Sequence, residues 1–146
     1  MCSPRCERPW SDFQISSHLP LLLSVGVAVH QECHELAALT ALVVLCSVAY
    51  HQQHEASGAA ACADGFCAKA LFVYGLLQAT HSPSKAVLCA NAVFASCVAG
   101  VWLATWALRS DALYDRIHPW GLHVVPAVWI LSTVCLQPPR PLLLRM

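Results

Sequence analysis

His51 follows Ser47 by four residues at the end of an apolar run from Leu36 to Tyr50. On a helix of 3.6 residues per turn these two positions share a face, one turn apart. His118 and His123 stand where another apolar run, Trp120 to Leu136, begins. Ionisable side chains inside membrane segments are costly and usually face the bundle interior. Three imidazoles from two helix ends meet the needs of a Zn²⁺ site whose fourth position is left for water. An ion held in that way activates water as a nucleophile near neutral pH. Ser47 could orient that water or hold the oxyanion of an ester or amide intermediate. The same histidines can equally be solvated groups capping helix ends. His18, His30 and His34 bracket the first apolar run and read as interfacial polar residues, while His54 and Glu55 read as loop residues.

The elements that must position these groups are written in the hydropathy. The chain has 146 residues, of which 58% are hydrophobic and only 11% charged. A typical soluble domain carries about 25% charged residues. Eight Lys+Arg balance eight Asp+Glu, so a basic nucleic-acid binder held by phosphate contacts is excluded. The bilayer is the expected partner. Five apolar blocks can be marked, at about Ile15–Val29, Leu36–Tyr50, Phe66–Thr80, Ala86–Leu108 and Trp120–Leu136. Lys69 and Gln78 interrupt the third, and the fourth runs 23 residues without a charge. About 20 apolar residues in a helix cross the ~30 Å of hydrocarbon. Helix is the form expected, because in lipid each backbone N–H and C=O must be satisfied within its own segment. Small residues in the fourth block (Ala90, Ala92, Ala95, Ser96, Ala99 and Gly100) permit close helix packing.

The expected architecture is therefore an all-α, multi-pass transmembrane bundle of about five helices spanning residues 15–136. A polar tail at 1–14 precedes it and a Pro-rich tail at 137–146 follows. The stretch from His51 to Gly65 reads as a polar, Ala/Gly-rich connection, and Ser84 as the N-cap of the fourth helix. After the first apolar run, Val29 is followed by His30-Gln31-Glu32 with no small-x-small pattern, so the segment reads as a retained span rather than a cleaved signal. With five spans, three Lys/Arg fall on one side and four on the other, which leaves orientation open. Plasma membrane and endomembranes are not distinguished. Nine cysteines leave at least one thiol unpaired. Cys46, Cys89, Cys97 and Cys135 lie in apolar runs, where a cysteine behaves as a small hydrophobe. Cys2/Cys6 and Cys62/Cys67 could be disulfides or acylation sites, but free thiols are expected.

A family resemblance rests on three stretches in close succession: Ile15-Ser-Ser-His-Leu-Pro-Leu-Leu-Leu, His34-Glu35-Leu-Ala-Ala-Leu-Thr40, and Cys46-Ser47-Val-Ala-Tyr50-His51. Their order resembles the transmembrane protein 8 and myomaker-like family, within the superfamily of alkaline ceramidases and progestin/adipoQ receptors. The resemblance covers about residues 15–81 and 114–134 and is most specific in its first part. It implies a seven-helix fold with Ser-x-x-x-His ending the second helix, an Asp on the third and His-x-x-x-His on the last. Ser47 and His51 match the first motif. Tyr74-Gly-Leu-Leu-Gln78-Ala-Thr-His81 resembles Tyr-Asp-x-Leu-Gln-x-x-Asp, which puts His81 where the family has its Asp; Asp64 is the other candidate, if the loop before the third block folds back. Ile117-His118-Pro119-Trp120-Gly121-Leu122-His123 resembles the last motif with one residue too many. Rings at i,i+4 lie about 40° apart around a helix and rings at i,i+5 about 140°. Both can face one metal only if the start of the helix is unwound, which Pro119 and Gly121 permit.

By this resemblance the expected site is Zn²⁺ on His51, His118 and His123, with Ser47 positioning or polarising and His81 or Asp64 as base. The implied reaction is hydrolysis of a lipid or GPI-anchor ester or amide bond. One branch of the family is implicated in shedding GPI-anchored proteins through phospholipase A2 activity. Another acts in cell fusion without an accepted hydrolase reaction, so a non-enzymatic structural or interaction role is the alternative, as is a ceramidase-like or receptor-like relative. Five blocks against seven helices imply a shortened or degenerate member.

Overall fold

The computed structural model describes residues 8–80, 84–108 and 111–136. Every regular element among them is helical. A single turn, α1 (Phe13–Ser16), leads into α2 (Leu19–His30). Next come α3 (His34–Gln52), α4 (Ala59–Thr80), α5 (Lys85–Leu108) and α6 (Asp111–His118). A π-helical stretch, Pro119–Val124, carries α6 straight into α7 (Val125–Leu136).

Five segments are long and apolar enough to cross a membrane: Phe13–His30, His34–Gln52, Ala59–Gln78, Lys85–Ala107 and Ala112–Leu136. This is the expected all-α architecture. Two boundaries differ from the expectation. The third helix begins at Ala59 rather than Phe66, because Ala59-Ala-Ala-Cys-Ala is a run of strong helix formers that needs no high hydropathy to be helical. Asp64 and Cys62 therefore sit on α4 and not in a loop. The last span begins before Trp120, since α6 joins it through the π stretch.

Local signals set the ends. Asp12 caps α1 by accepting from the Gln14 N–H at 2.8 Å. Pro20 occupies the first turn of α2, where a missing N–H costs nothing. The Ser84 hydroxyl accepts from the Val87 N–H at 3.4 Å, the expected cap of α5.

The core lies among α2, α3 and α7, with Leu21, Ala28, Leu36, Ala37, Val43, Val44, Ile130 and Val134 buried there. The windows of these spans are each 39% buried, against 6% for α4 and 11% for α5. The first group thus forms the buried body, and α4 and α5 form a wall that leaves most of its side chains exposed while Cys67 and Leu71 of α4 join the core. Asn91 pins that wall to α7, accepting from the Trp129 indole N–H and, at 3.4 Å, from the Thr133 hydroxyl. Because α2 and α3 are antiparallel, the start of α2, the end of α3, the start of α4 and the π stretch all gather at one end of the bundle.

Candidate metal centre

Four histidines converge at that end. His18 at the N-cap of α2, His51 from α3, His118 from α6 and His123 from the π stretch are 1%, 0%, 8% and 3% exposed. Their rings lie 3.9 Å (His18 to His123), 4.9 Å (His118 to His123), 5.2 Å (His51 to His118), 5.3 Å (His51 to His123) and 5.7 Å (His18 to His51) apart, centre to centre. Burying this many imidazoles together without a shared partner is unfavourable, since each carries two polar nitrogens.

The hydrogen bonds account for one nitrogen of each ring. His18 Nδ1 lies 3.0 Å from the Ile15 carbonyl oxygen, to which it can only donate. His51 Nδ1 lies 3.0 Å from Glu55 Oε1. His123 Nδ1 and the Ser17 hydroxyl are 2.6 Å apart. The Tyr114 hydroxyl meets His118 Nε2 at 3.3 Å. Among the described residues His18 Nε2, His51 Nε2 and His118 Nδ1 are buried and have no hydrogen-bond partner. Donating Nδ1–H to a carbonyl or a carboxylate fixes the tautomer and leaves the Nε2 lone pair free, the arrangement that metal-ligating histidines show.

His18, His51 and His123 each present one ring nitrogen within 4.8 Å of the other two, so the three can hold a metal ion. The residues present therefore fit such an ion: orphaned nitrogens face inward and their partners lie behind. The structure brings together the sequence-derived His51, His118 and His123 and adds His18, which is buried in the cluster and not an interfacial residue. His118 adjoins the trio but is not among the three whose nitrogens lie within 4.8 Å of one another; its Nε2 meets Tyr114, on which its ring stacks with centres 4.3 Å apart.

The spacing of His118 and His123 is solved differently from the expected unwinding. The π stretch closes i→i+5 hydrogen bonds, so residues five apart come nearly into line along the helix. The surplus residue is absorbed by widening the turn. Gly121 is required there: a Cβ would overlap the side chain of Val101 on α5, with Val101 Cβ only 2.7 Å away.

Behind His51 the chain makes a strained turn. His54 and Glu55 have φ of 51° and 58°, in the left-handed region that non-glycine residues rarely occupy. This turn carries the Glu55 carboxylate back over His51 and into reach of Arg8 at 3.3 Å. Burial alone would push the Glu55 carboxyl up. The hydrogen bond from His51, the His51 charge and Arg8 outweigh it and hold the group below the usual carboxylate range.

Ser47 is buried one turn below His51 and hydrogen-bonds the Asp64 carboxyl across the α3–α4 contact. Both line a cavity of about 630 Å³ that also touches His118 and His123. From there it runs along α4, α5 and α7 past Leu71, Phe72, Trp102 and Ile130 to Gln78 and Thr133. His81 lies outside the described residues. The Tyr74–Gln78 stretch before it is at the opposite end of the bundle, where Gln78 donates to the Tyr74 hydroxyl at 2.9 Å and Tyr74 to Glu35 at 3.4 Å.

His18, Ser17 and Glu55 were not legible as site residues. The only trace in the sequence is the i,i+4 spacing of His51 and Glu55.

No family model, curated protein or solved structure matches this chain.

Proposed function

We propose that this chain is a multi-pass membrane protein that holds Zn²⁺ on His18, His51 and His123 and hydrolyses an ester or amide bond of a lipid. Five apolar helices are compatible with the membrane setting. The observation that carries the metal is the set of inward-facing, partnerless ring nitrogens on His18 and His51, each backed by an acceptor on its other nitrogen. Three imidazoles without a sulfur ligand suit Zn²⁺ and leave a coordination position open. When bound, the ion supplies Lewis acidity to a substrate carbonyl and to water. The resemblance to the ceramidase superfamily favours the same reaction class.

The chain's own groups divide the remaining work. Asp64 faces the cavity beside the histidines and accepts a proton from water or returns one to the leaving group. Ser47 holds the Asp64 carboxyl in place through its hydroxyl. The cavity takes the apolar part of the substrate. From Asp64 to Gln78 it follows fourteen residues of α4, a rise of about 21 Å, which is long enough for an acyl chain reaching well past one leaflet of the ~30 Å hydrocarbon core. Its walls are mostly apolar along α4, α5 and α7, and an acyl chain lying there places its linkage beside Asp64, His118 and His123.

Detergent-purified, Zn²⁺-loaded protein should release fatty acid from a panel of amide- and ester-linked lipids, including ceramide and phosphatidylcholine. Chelation should abolish release, and Asp64→Asn should slow it by about 10²- to 10⁴-fold, the usual contribution of a general acid–base. A folded, Zn²⁺-loaded protein that cleaves none of these lipids would overturn the hydrolase assignment and favour a non-enzymatic membrane role.

A further inference from the structure

Two thiols meet inside the bundle beside the site. Cys67 on α4 points its Sγ at Cys46 on α3, 3.8 Å away, which is van der Waals contact between sulfurs. Cys67 is 6% exposed, and Cys46 is half-buried against the same core. Neither sulfur is in a disulfide.

The position of the pair is informative. Cys46 immediately precedes Ser47, and Cys67 stands three residues after Asp64, on the same face of α4. Cys46 lies six residues from the end of α3, about 9 Å into the span from the histidine end. A bond between the two sulfurs would therefore clamp α3 to α4 one turn from the Ser47–Asp64 contact. α3 and α4 form the most extensive helix pairing among the described residues, so the two cysteines already face each other, and rotation of their side chains closes the ~1.8 Å that a 2.03–2.05 Å S–S bond requires.

We propose that Cys46 and Cys67 are a dithiol modification site that closes to a disulfide on exposure to an organic hydroperoxide. Cys46, the more accessible sulfur, attacks the peroxide oxygen and breaks the O–O bond. It becomes a sulfenic acid, and the hydroperoxide leaves as its alcohol. Cys67 then displaces the sulfenic oxygen, the S–S bond forms and one water leaves. Overall, two thiols and one hydroperoxide give one disulfide, one alcohol and one water. The two electrons pass from sulfur to the peroxide.

The test uses the whole chain in membranes or detergent, treated with cumene hydroperoxide. Remaining thiols are alkylated, and the protein is digested and mapped by mass spectrometry without reduction. The expected product is a Cys46–Cys67 linked peptide, at least tenfold more abundant than any other cysteine pair, with an intact mass 2 Da lower that a phosphine restores. Cys46→Ala and Cys67→Ala should each abolish it, and the double variant should keep the helical content of the wild type. Both cysteines alkylated after treatment, hyperoxidised separately or linked to other cysteines in the folded wild type would overturn the proposal. These readouts do not depend on metal or hydrolysis, so they stand apart from the test of the proposed function.

Discussion

Each imidazole in the cluster depends on a neighbour that is not itself a ligand. Glu55 fixes His51, the Ile15 carbonyl fixes His18 and the Ser17 hydroxyl fixes His123. Groups behind the ligands typically contribute 10- to 100-fold in metal affinity. Glu55→Ala should therefore weaken Zn²⁺ binding by about that factor, read by competition with a chromophoric chelator, while Ser17→Ala should have a smaller effect. Unchanged affinity in the Glu55 variant would mean that the carboxylate serves only Arg8. Acid should act on the same atoms, because a protonated imidazole cannot ligate; affinity falls as pH falls. Glu55, held below the usual carboxylate range, adds stability that is present above the unfolded carboxyl's ordinary pKa and is lost as pH drops through its lowered value. His51, His123 and Ser47 could be picked out from spacing alone. His18 could not, since a histidine ahead of Leu19-Pro20 looks the same whether it faces lipid headgroups or a bundle interior. Only the docking of α2 beside α3 and α7 decides. Glu55 was hidden for a related reason: it lies past the end of α3, and two left-handed residues bring it back.

At the level of elements, the π stretch is the feature on which the geometry turns. The i,i+5 pair of histidines signalled that an ordinary helix would not suffice, and Pro119 and Gly121 marked where it would yield. The form of the departure was not legible, because it is set by α5 pressing Val101 against Gly121. Gly121→Ala should force the branched Val101 side chain aside and cost about 1–3 kcal/mol, the usual penalty of overpacking. The measurement is the thermal midpoint in detergent, and Val101→Ala in the same chain should recover most of the loss. If Gly121→Ala is neutral, α5 and the π stretch are not in close contact. The start of α4 teaches the opposite lesson. Ala59 to Gly65 is not strongly apolar and reads as a connection by hydropathy, yet its helix propensity is plain in its alanines, and that helix carries Asp64 to Ser47.

At the scale of the whole molecule, scarce charge and five apolar blocks were enough to expect the bundle, because lipid leaves helices as the natural form for such segments. They could not indicate which spans pack tightly and which form a wall. That difference, α2, α3 and α7 against α4 and α5, follows from side-chain interlocking that hydropathy does not record. It leaves apolar side chains such as Phe66, Val73, Trp102 and Trp106 facing outward, as a lipid-exposed surface requires. If all five of these segments cross the membrane, the Arg8 end and the Leu136 end lie on opposite sides of it. Single reporter cysteines added beside each, in a chain with its own thiols blocked, should react with an impermeant maleimide from opposite faces of sealed vesicles. Labelling of both from one side would remove a span.

Metal content is the most direct measure of the central claim. Wild-type protein purified in detergent and analysed by inductively coupled plasma mass spectrometry should carry about one Zn²⁺ per chain. His18→Ala, His51→Ala and His123→Ala should each lose it, while His118→Ala keeps most of it. A folded wild type without metal, or a His18→Ala variant that still holds one Zn²⁺ per chain, would contradict the trio as the metal centre.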